Sequence, residues 1–301
     1  MSSQPSPLRV QLTLLLVQVA FGGFHVVAKA VLSDLPPLAL AGLRVTAATP
    51  FLVWLAWRRD RVLPARRDLP WLALLGGLGV TANQLFFITG LRYTTATNAS
   101  ILQPSLPVFA VAAAAVLGVE RIGRRRLLGI GLSVIGALVL VNPLRLASDH
   151  RAVLGNGLIL LNCLCYALFL VLQRPLLERI PWRTLIAWSF VFGGGAVLLV
   201  SLPTLLRFDW AAVPAGTWWG LAYIVGIATV FAYSANTWAV RRSSPALVAA
   251  YSTLQPVVAA ALAAAFLGER FGWMEGAGFV LIAGGLLLVS ARAPAAASQA
   301  S

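Results

Sequence analysis

Residues 107–138 read PVFAVAAAAVLGVERIGRRRLLGIGLSVIGAL, and residues 256–287 read PVVAAALAAAFLGERFGWMEGAGFVLIAGGLL. A shift of 149 positions superimposes them without a gap. Pro107 falls on Pro256, Glu120 on Glu269, Arg121 on Arg270, Gly123 on Gly272, Gly129 on Gly278 and Gly136 on Gly285. Both stretches are strongly apolar, which predicts two homologous halves within a membrane. Such internal duplication is the sequence mark of carriers that work by alternating access around a site between two similar units.

Composition points the same way. The 301-residue chain is 59% hydrophobic and 11% charged, with a mean hydropathy of +0.86. A soluble domain carries about 25% charged residues. This chain lacks the polar surface to face water all round, so it reads as an integral membrane protein whose partner is the lipid bilayer. The net charge of +14 does not indicate nucleic acid. Its arginines sit in short loops beside long apolar runs, where the positive-inside rule places them. The first apolar run, 10–32, lacks a small-residue cleavage site. The tail 291–301 is rich in Ala, Ser and Pro and reads as a disordered cytoplasmic tail. Cys163 and Cys165 share one apolar segment and read as small packing residues. No metal cluster and no cofactor motif is present.

A membrane span needs about 20 apolar residues. Ten candidates follow: 10–32, 35–57, 69–91, 94–118, 127–143, 153–174, 184–206, 215–238, 244–267 and 272–290. The predicted fold is all-α, with ten transmembrane helices as two inverted five-helix repeats around a central cavity. The first repeat occupies 1–145 and the second 150–290. With the N-terminus inside, sixteen basic residues fall on the cytoplasmic side, six on the other, and Arg44 lies within a span. Both termini are therefore expected in the cytoplasm of a bacterial-type inner membrane. An odd number of spans per half requires inversion, and the loops agree. Arg124, Arg125 and Arg126 in loop 4–5 are matched in loop 9–10 by Trp273, Met274 and Glu275. Loop 2–3 has five arginines, whereas loop 7–8 has only Arg207.

The motifs resemble a known family. Two five-helix repeats, each with a Pro in its fourth helix and Glu-Arg at that helix's end, are similar to EamA domains of the drug/metabolite transporter superfamily. The first span, AFGGFHVVAK (20–29), resembles that family's opening helix, with Lys29 at its lysine. LAGLRVTAATPFLV (40–53) places Arg44 at an arginine typical of the second helix. Residues 91–109 and 240–258 resemble the entries to helices four and nine. His25 departs from the pattern, standing where a small or apolar residue is common. The resemblance implies ten helices around a central cavity and movement of small metabolites, commonly export of amino acids or related compounds.

Ionisable residues inside a membrane are costly and are functional candidates by default. Here they are His25, Lys29 and Arg44. His25 and Lys29 are four residues apart and share a helix face. Lys29 is near a span end, where snorkelling or structural pairing is the alternative to substrate contact. The structural alternative for Arg44 is to pin helix two to its neighbours. All nine acids lie in loops or at helix ends. No buried carboxylate relay is therefore available for proton coupling, and an interior with only positive ionisable groups suits a substrate bearing a carboxylate. Uncharged polar residues complete the candidate substrate path: Asn83, Gln84, Asn98, Ser100, Gln103, Asn162, Tyr166, Tyr233, Asn236, Tyr251, Ser252 and Gln255. Their amides and hydroxyls would be unsatisfied in lipid and should face the interior. Pro104, Pro107 and Pro256 are hinge candidates in helices four and nine. Glu120 and Glu269 are expected to tie a turn to the N-terminus of the following helix.

The sequence thus predicts a secondary transporter, not an enzyme, that exports amino acids or related carboxylates. A nucleotide-sugar or phosphorylated-metabolite exchanger is the alternative, though it would want more cavity cations. A channel or lipid scramblase is a third class. The oligomeric state is left open, and a monomer is compatible with the sequence.

Overall fold

The computed structural model describes residues 7–94, 99, 102–120, 122–141, 150–258, 261 and 273–290. The described residues are helical, with no strand among them. The helices are α1 (Pro7–Asp34), α2 (Pro37–Arg59), α3 (Arg66–Tyr93), α4 (Ser105–Val116) and α5 (Arg124–Val141). They continue as α6 (His150–Leu176), α7 (Trp182–Arg207), α8 (Ala215–Arg242), α9 (Pro245–Ala250) and α10 (Trp273–Ser290). Among the described residues six helices are long and apolar enough to cross a membrane: α1, α2, α3, α6, α7 and α8. The other four expected spans, 94–118, 127–143, 244–267 and 272–290, coincide with shorter described segments, and part of each lies outside the described residues. So do the tail 291–301, Asn98, Ser100 and Glu269.

Local chemistry sets the helix starts. Proline's fixed φ and missing N–H suit the first helical position, where no backbone partner exists. Pro37 opens α2 in this way, and Pro245 opens α9. The Ser244 hydroxyl also accepts from the Leu247 amide at 3.2 Å, capping α9. Pro104 immediately precedes α4 and Pro107 lies in its first turn. The first two hinge candidates thus sit at the start of α4, next to the Gln103–Pro104 turn that separates it from helical Leu102. Pro256 follows a tight 3₁₀ turn at Tyr251–Leu254.

Two long helices contain an irregularity that the apolar pattern does not reveal. α3 runs as a π-helix over Gly77–Ala82, and α8 does so over Gly226–Phe231. The two segments are themselves 149 residues apart. In both, an amide reaches five residues back: Asn83 to the Leu78 carbonyl and Ala232 to the Ile227 carbonyl.

Small residues let helices approach. α5 and α10 lie against each other through the repeated glycines. A Cβ on Gly136 would come within 2.8 Å of the Gly278 carbonyl oxygen, and one on Gly285 within 2.4 Å of the Gly129 carbonyl oxygen. Between α3 and α7, a Cβ on Gly193 would fall 2.2 Å from the Gly76 carbonyl oxygen. Dispersion, not the hydrophobic effect, favours such close contacts where lipid is the alternative neighbour.

The ion pairs among the described residues join the α2–α3 and α6–α7 connections and tie the turn before α5. Arg183 pairs with Asp60 at 2.8 Å and Arg179 with Asp68 at 3.2 Å, joining the loop after α2 to the region around the start of α7. Arg174 donates to the Val240 and Arg241 carbonyls at 2.5 and 3.0 Å, closing the end of α8. Glu120 pairs with Arg126 in the first turn of α5. The backbone amide that Glu120 accepts, however, is Ala246 of α9 at 3.4 Å. Its second tie thus crosses to the other half of the chain instead of ending on the next helix.

Candidate functional site

The interior between α1, α2, α3, α6, α8, the start of α4, and α9 with the turn that follows it holds a cavity. Its wall includes His25, Arg44, Asn83, Gln103, Asn162, Tyr166, Tyr233, Asn236 and Gln255 from the candidate set.

Arg44 dominates the electrostatics. It is 2% exposed, and its guanidinium lies 4.2 Å over the Phe24 ring. Nε donates to Thr229 Oγ1 at 2.5 Å, Nη1 to Gln84 Oε1 at 3.0 Å and Nη2 to the Ala228 carbonyl at 3.1 Å. Among the described residues every partner is neutral, and none lining the cavity carries a carboxylate. Guanidinium has five N–H groups, so two remain to be used. An unpaired buried charge is costly, and dipoles offset that cost only in part. Gln84 therefore acts on the site through Arg44 without lining the cavity.

A second cluster fixes the imidazole. His25 Nε2 lies 3.0 Å from Gln255 Oε1, while Gln255 Nε2 donates to Gln18 Oε1 at 3.0 Å. With Gln255 presenting its carboxamide oxygen, Nε2 carries the proton. His25 Nδ1 has no partner among the described residues and is an acceptor in that tautomer.

A third cluster joins α3, α6 and α8. The Tyr233 hydroxyl lies 2.7 Å from Asn83 Oδ1 and 3.1 Å from the Gly79 carbonyl oxygen. Asn162 Nδ2 donates to the Asn83 carbonyl at 2.9 Å, and Asn236 Nδ2 donates to the Tyr166 hydroxyl at 2.7 Å. Tyr166 thereby keeps its own proton to give. Asn236 Oδ1 and Ser252 Oγ have no partner among the described residues. Phe21 stands edge-on to both Tyr166 and Tyr233, each at 6.3 Å, and Phe87 stacks on Phe24 at 5.2 Å. The wall therefore offers one cation, hydroxyl donors, two unused acceptors and aromatic faces.

The remaining candidates lie elsewhere. Lys29 is not in the cavity wall; its ammonium donates to the Leu91 and Thr94 carbonyls at 2.8 and 2.9 Å, capping the end of α3. Tyr251 is buried behind the wall, where its neighbour Ser252 faces in. Of the hinge candidates, none lines the cavity. Cys163 and Cys165 are free thiols, and Cys163 Sγ lies 3.7 Å from Gln103 Oε1. Sequence inspection missed Gln18, although it is an amide within an apolar span and meets the criterion that selected Gln103. It also missed Phe21, Phe24 and Phe87, because a Phe in a membrane helix looks the same whether it faces lipid or a ligand.

The EamA-like transporter family matches residues 8–142 and again 153–291. A protein named "Probable amino-acid metabolite efflux pump" from Salmonella typhimurium is 31% identical over 290 residues, covering 91% of this chain and 92% of that protein. An "Uncharacterized transporter" from Archaeoglobus fulgidus is 28% identical, covering 94% and 98%. "Protein WALLS ARE THIN 1" from Arabidopsis thaliana is 29% identical, covering 95% and 83%. A solved crystal structure shares the fold with a TM-score of 0.75 at 17% identity, over 95% of this chain and 98% of that one. The family matches span almost the whole chain: it belongs to the EamA-like transporter family, and is a multi-pass membrane transporter and not an enzyme.

Proposed function

We propose that this transporter exports amino acids or closely related carboxylate-bearing metabolites by alternating access. The observation that carries this reading is Arg44: a buried guanidinium at the cavity whose partners among the described residues are all neutral, with no carboxylate among the described wall residues. A substrate carboxylate supplies the missing negative charge in a charge-assisted bond. The unused acceptors His25 Nδ1 and Asn236 Oδ1 suit an ammonium group on the same substrate. One cavity-lining cation is a weaker match for a nucleoside diphosphate or sugar phosphate, since Lys29 is already engaged by carbonyls.

The proposal includes ten helices in two inverted repeats, with both termini cytoplasmic in a bacterial-type inner membrane. The coincidence of the two π-helical segments at the 149-residue shift supports the repeat. The arginine bias between equivalent loops supports the orientation. Transport is facilitated, or coupled to protons through His25 alone.

Purified protein in proteoliposomes, assayed with a panel of labelled L-amino acids with and without a pH gradient, tests this directly. Saturable flux with trans-stimulation is expected for at least one. Absence of saturable flux for every amino acid, or flux that never saturates, overturns it. A pH-gradient requirement that persists in His25→Ala overturns the coupling statement.

A further inference from the structure

The two π-helical segments do not merely coincide in position; each is held by a side chain from the opposite half of the chain. A π turn widens the helix and turns a carbonyl away from its usual partner, and such turns recur at functional sites. In α3 the carbonyl of Gly79 lies 3.1 Å from the Tyr233 hydroxyl, which belongs to α8. In α8 the carbonyl of Ala228 accepts from Arg44 Nη2, which belongs to α2. Gly79 and Ala228 are themselves 149 residues apart. So are Gln84 and Tyr233. Tyr233 reaches the carbonyl of α3 directly, whereas Gln84 reaches that of α8 through the Arg44 guanidinium. The position equivalent to Arg44 is Gly193, which has no room for a side chain against Gly76. The same latch is thus built twice, once with a tyrosine and once with an arginine.

The proton inventory is consistent. A hydroxyl has one proton, and Tyr233 has two oxygen neighbours, Asn83 Oδ1 and Gly79 O. With the Asn83 amide turned to present Nδ2, Asn83 donates to Tyr233 and Tyr233 donates to Gly79. Both groups then reach the cavity wall in fixed orientation.

We infer that Tyr233 and Arg44 are paired positioning residues that latch the π-helical segments of α3 and α8 respectively, and that the Arg44 latch is the one a substrate anion releases. The release step rests on the transport reading above; the latches themselves do not. A carboxylate at the cavity attracts the whole guanidinium, engaging its two spare N–H groups, and so pulls it off the Ala228 carbonyl more strongly than it draws the neutral Tyr233 hydroxyl off Gly79. Substrate binding therefore frees α8 at Gly226–Phe231 while α3 stays held, which converts occupancy of the site into asymmetric freedom to bend.

Hydrogen–deuterium exchange on the full chain in lipid nanodiscs, without added substrate, tests the latches. Tyr233→Phe keeps the ring packing and removes only the hydroxyl. It is expected to speed exchange over residues 77–87 roughly fivefold, as loss of one hydrogen bond implies, and to leave 226–236 unchanged. Arg44→Lys is expected to do the reverse. Equal change in both segments, or none, overturns the inference. If Arg44→Lys fails to fold, Tyr233→Phe decides alone: unchanged exchange over 77–87 overturns it. A labelled L-amino acid that the proteoliposome assay shows to be transported should then raise exchange over 226–236 only in the wild type, and its failure to do so overturns the release step. Reciprocal exchange with no amino-acid flux would leave the latches standing and remove the transport reading. Flux without reciprocal exchange would do the opposite.

Discussion

At the scale of single residues, the three intramembrane ionisable side chains divide by what surrounds them. Arg44 carries an uncompensated charge at the cavity, and His25 is tethered there by Gln255. Lys29 is consumed by the end of α3. Opposite outcomes are expected. Arg44→Gln keeps some hydrogen-bonding capacity but removes the charge, and amino-acid uptake should fall by more than about tenfold, the loss of one charge-assisted bond. Lys29→Met leaves two terminal carbonyls without their cation. It should lower stability by about 1 kcal/mol, seen as a reduced Tm, with the KM for uptake unchanged. An elevated KM with normal Tm in Lys29→Met would return Lys29 to the substrate path. The amides were legible from sequence because a carboxamide in an apolar span has few places to go. The roles of Gln84 and Lys29 were not, since neither a guanidinium neighbour nor a helix end 62 residues away is visible in a linear pattern.

At the scale of elements, helices are set by apolar length and by proline at their starts, while their irregularities are set by neighbours. Nothing in GLGVTA or GIATVF dictates a π turn; partners from other helices for the Gly79 and Ala228 carbonyls make it tolerable. The α5–α10 pair is set by glycines seven apart on one face of each helix, Gly129 against Gly285 and Gly136 against Gly278. Gly136→Val should therefore destabilise the protein by about 1–3 kcal/mol through overpacking against Gly278 and Leu281. Gly131→Val, on the open side of the same helix, should leave the Tm within a degree or so. Thermal denaturation of the two variants side by side checks this, and equal sensitivity would refute the packing account.

At the scale of the whole molecule, orientation rests on arginine distribution. In a Cys163→Ser, Cys165→Ser background, a thiol from Arg66→Cys should react with a membrane-impermeant maleimide only in inside-out vesicles. One from Ala212→Cys should react only in right-side-out cells. Both positions are exposed, so lack of access would not confuse the result. The reversed pattern would place both termini outside.

The sequence by itself determined that this is a membrane protein, that its halves are related, and that its interior polarity is amide-rich and acid-free. Those properties follow from composition, a constant shift and the cost of charge in lipid, none of which needs coordinates. Only the tertiary structure decided that Arg44 meets Gln84, Thr229 and Ala228, that His25 meets Gln255, and that Tyr233 reaches back to Gly79. Apart from Arg44–Gln84, these partners are separated by 154 to 230 residues. A helix face shows that a polar group must find a partner away from lipid, but which partner it finds depends on how the helices pack, and hydrophobic periodicity does not encode that.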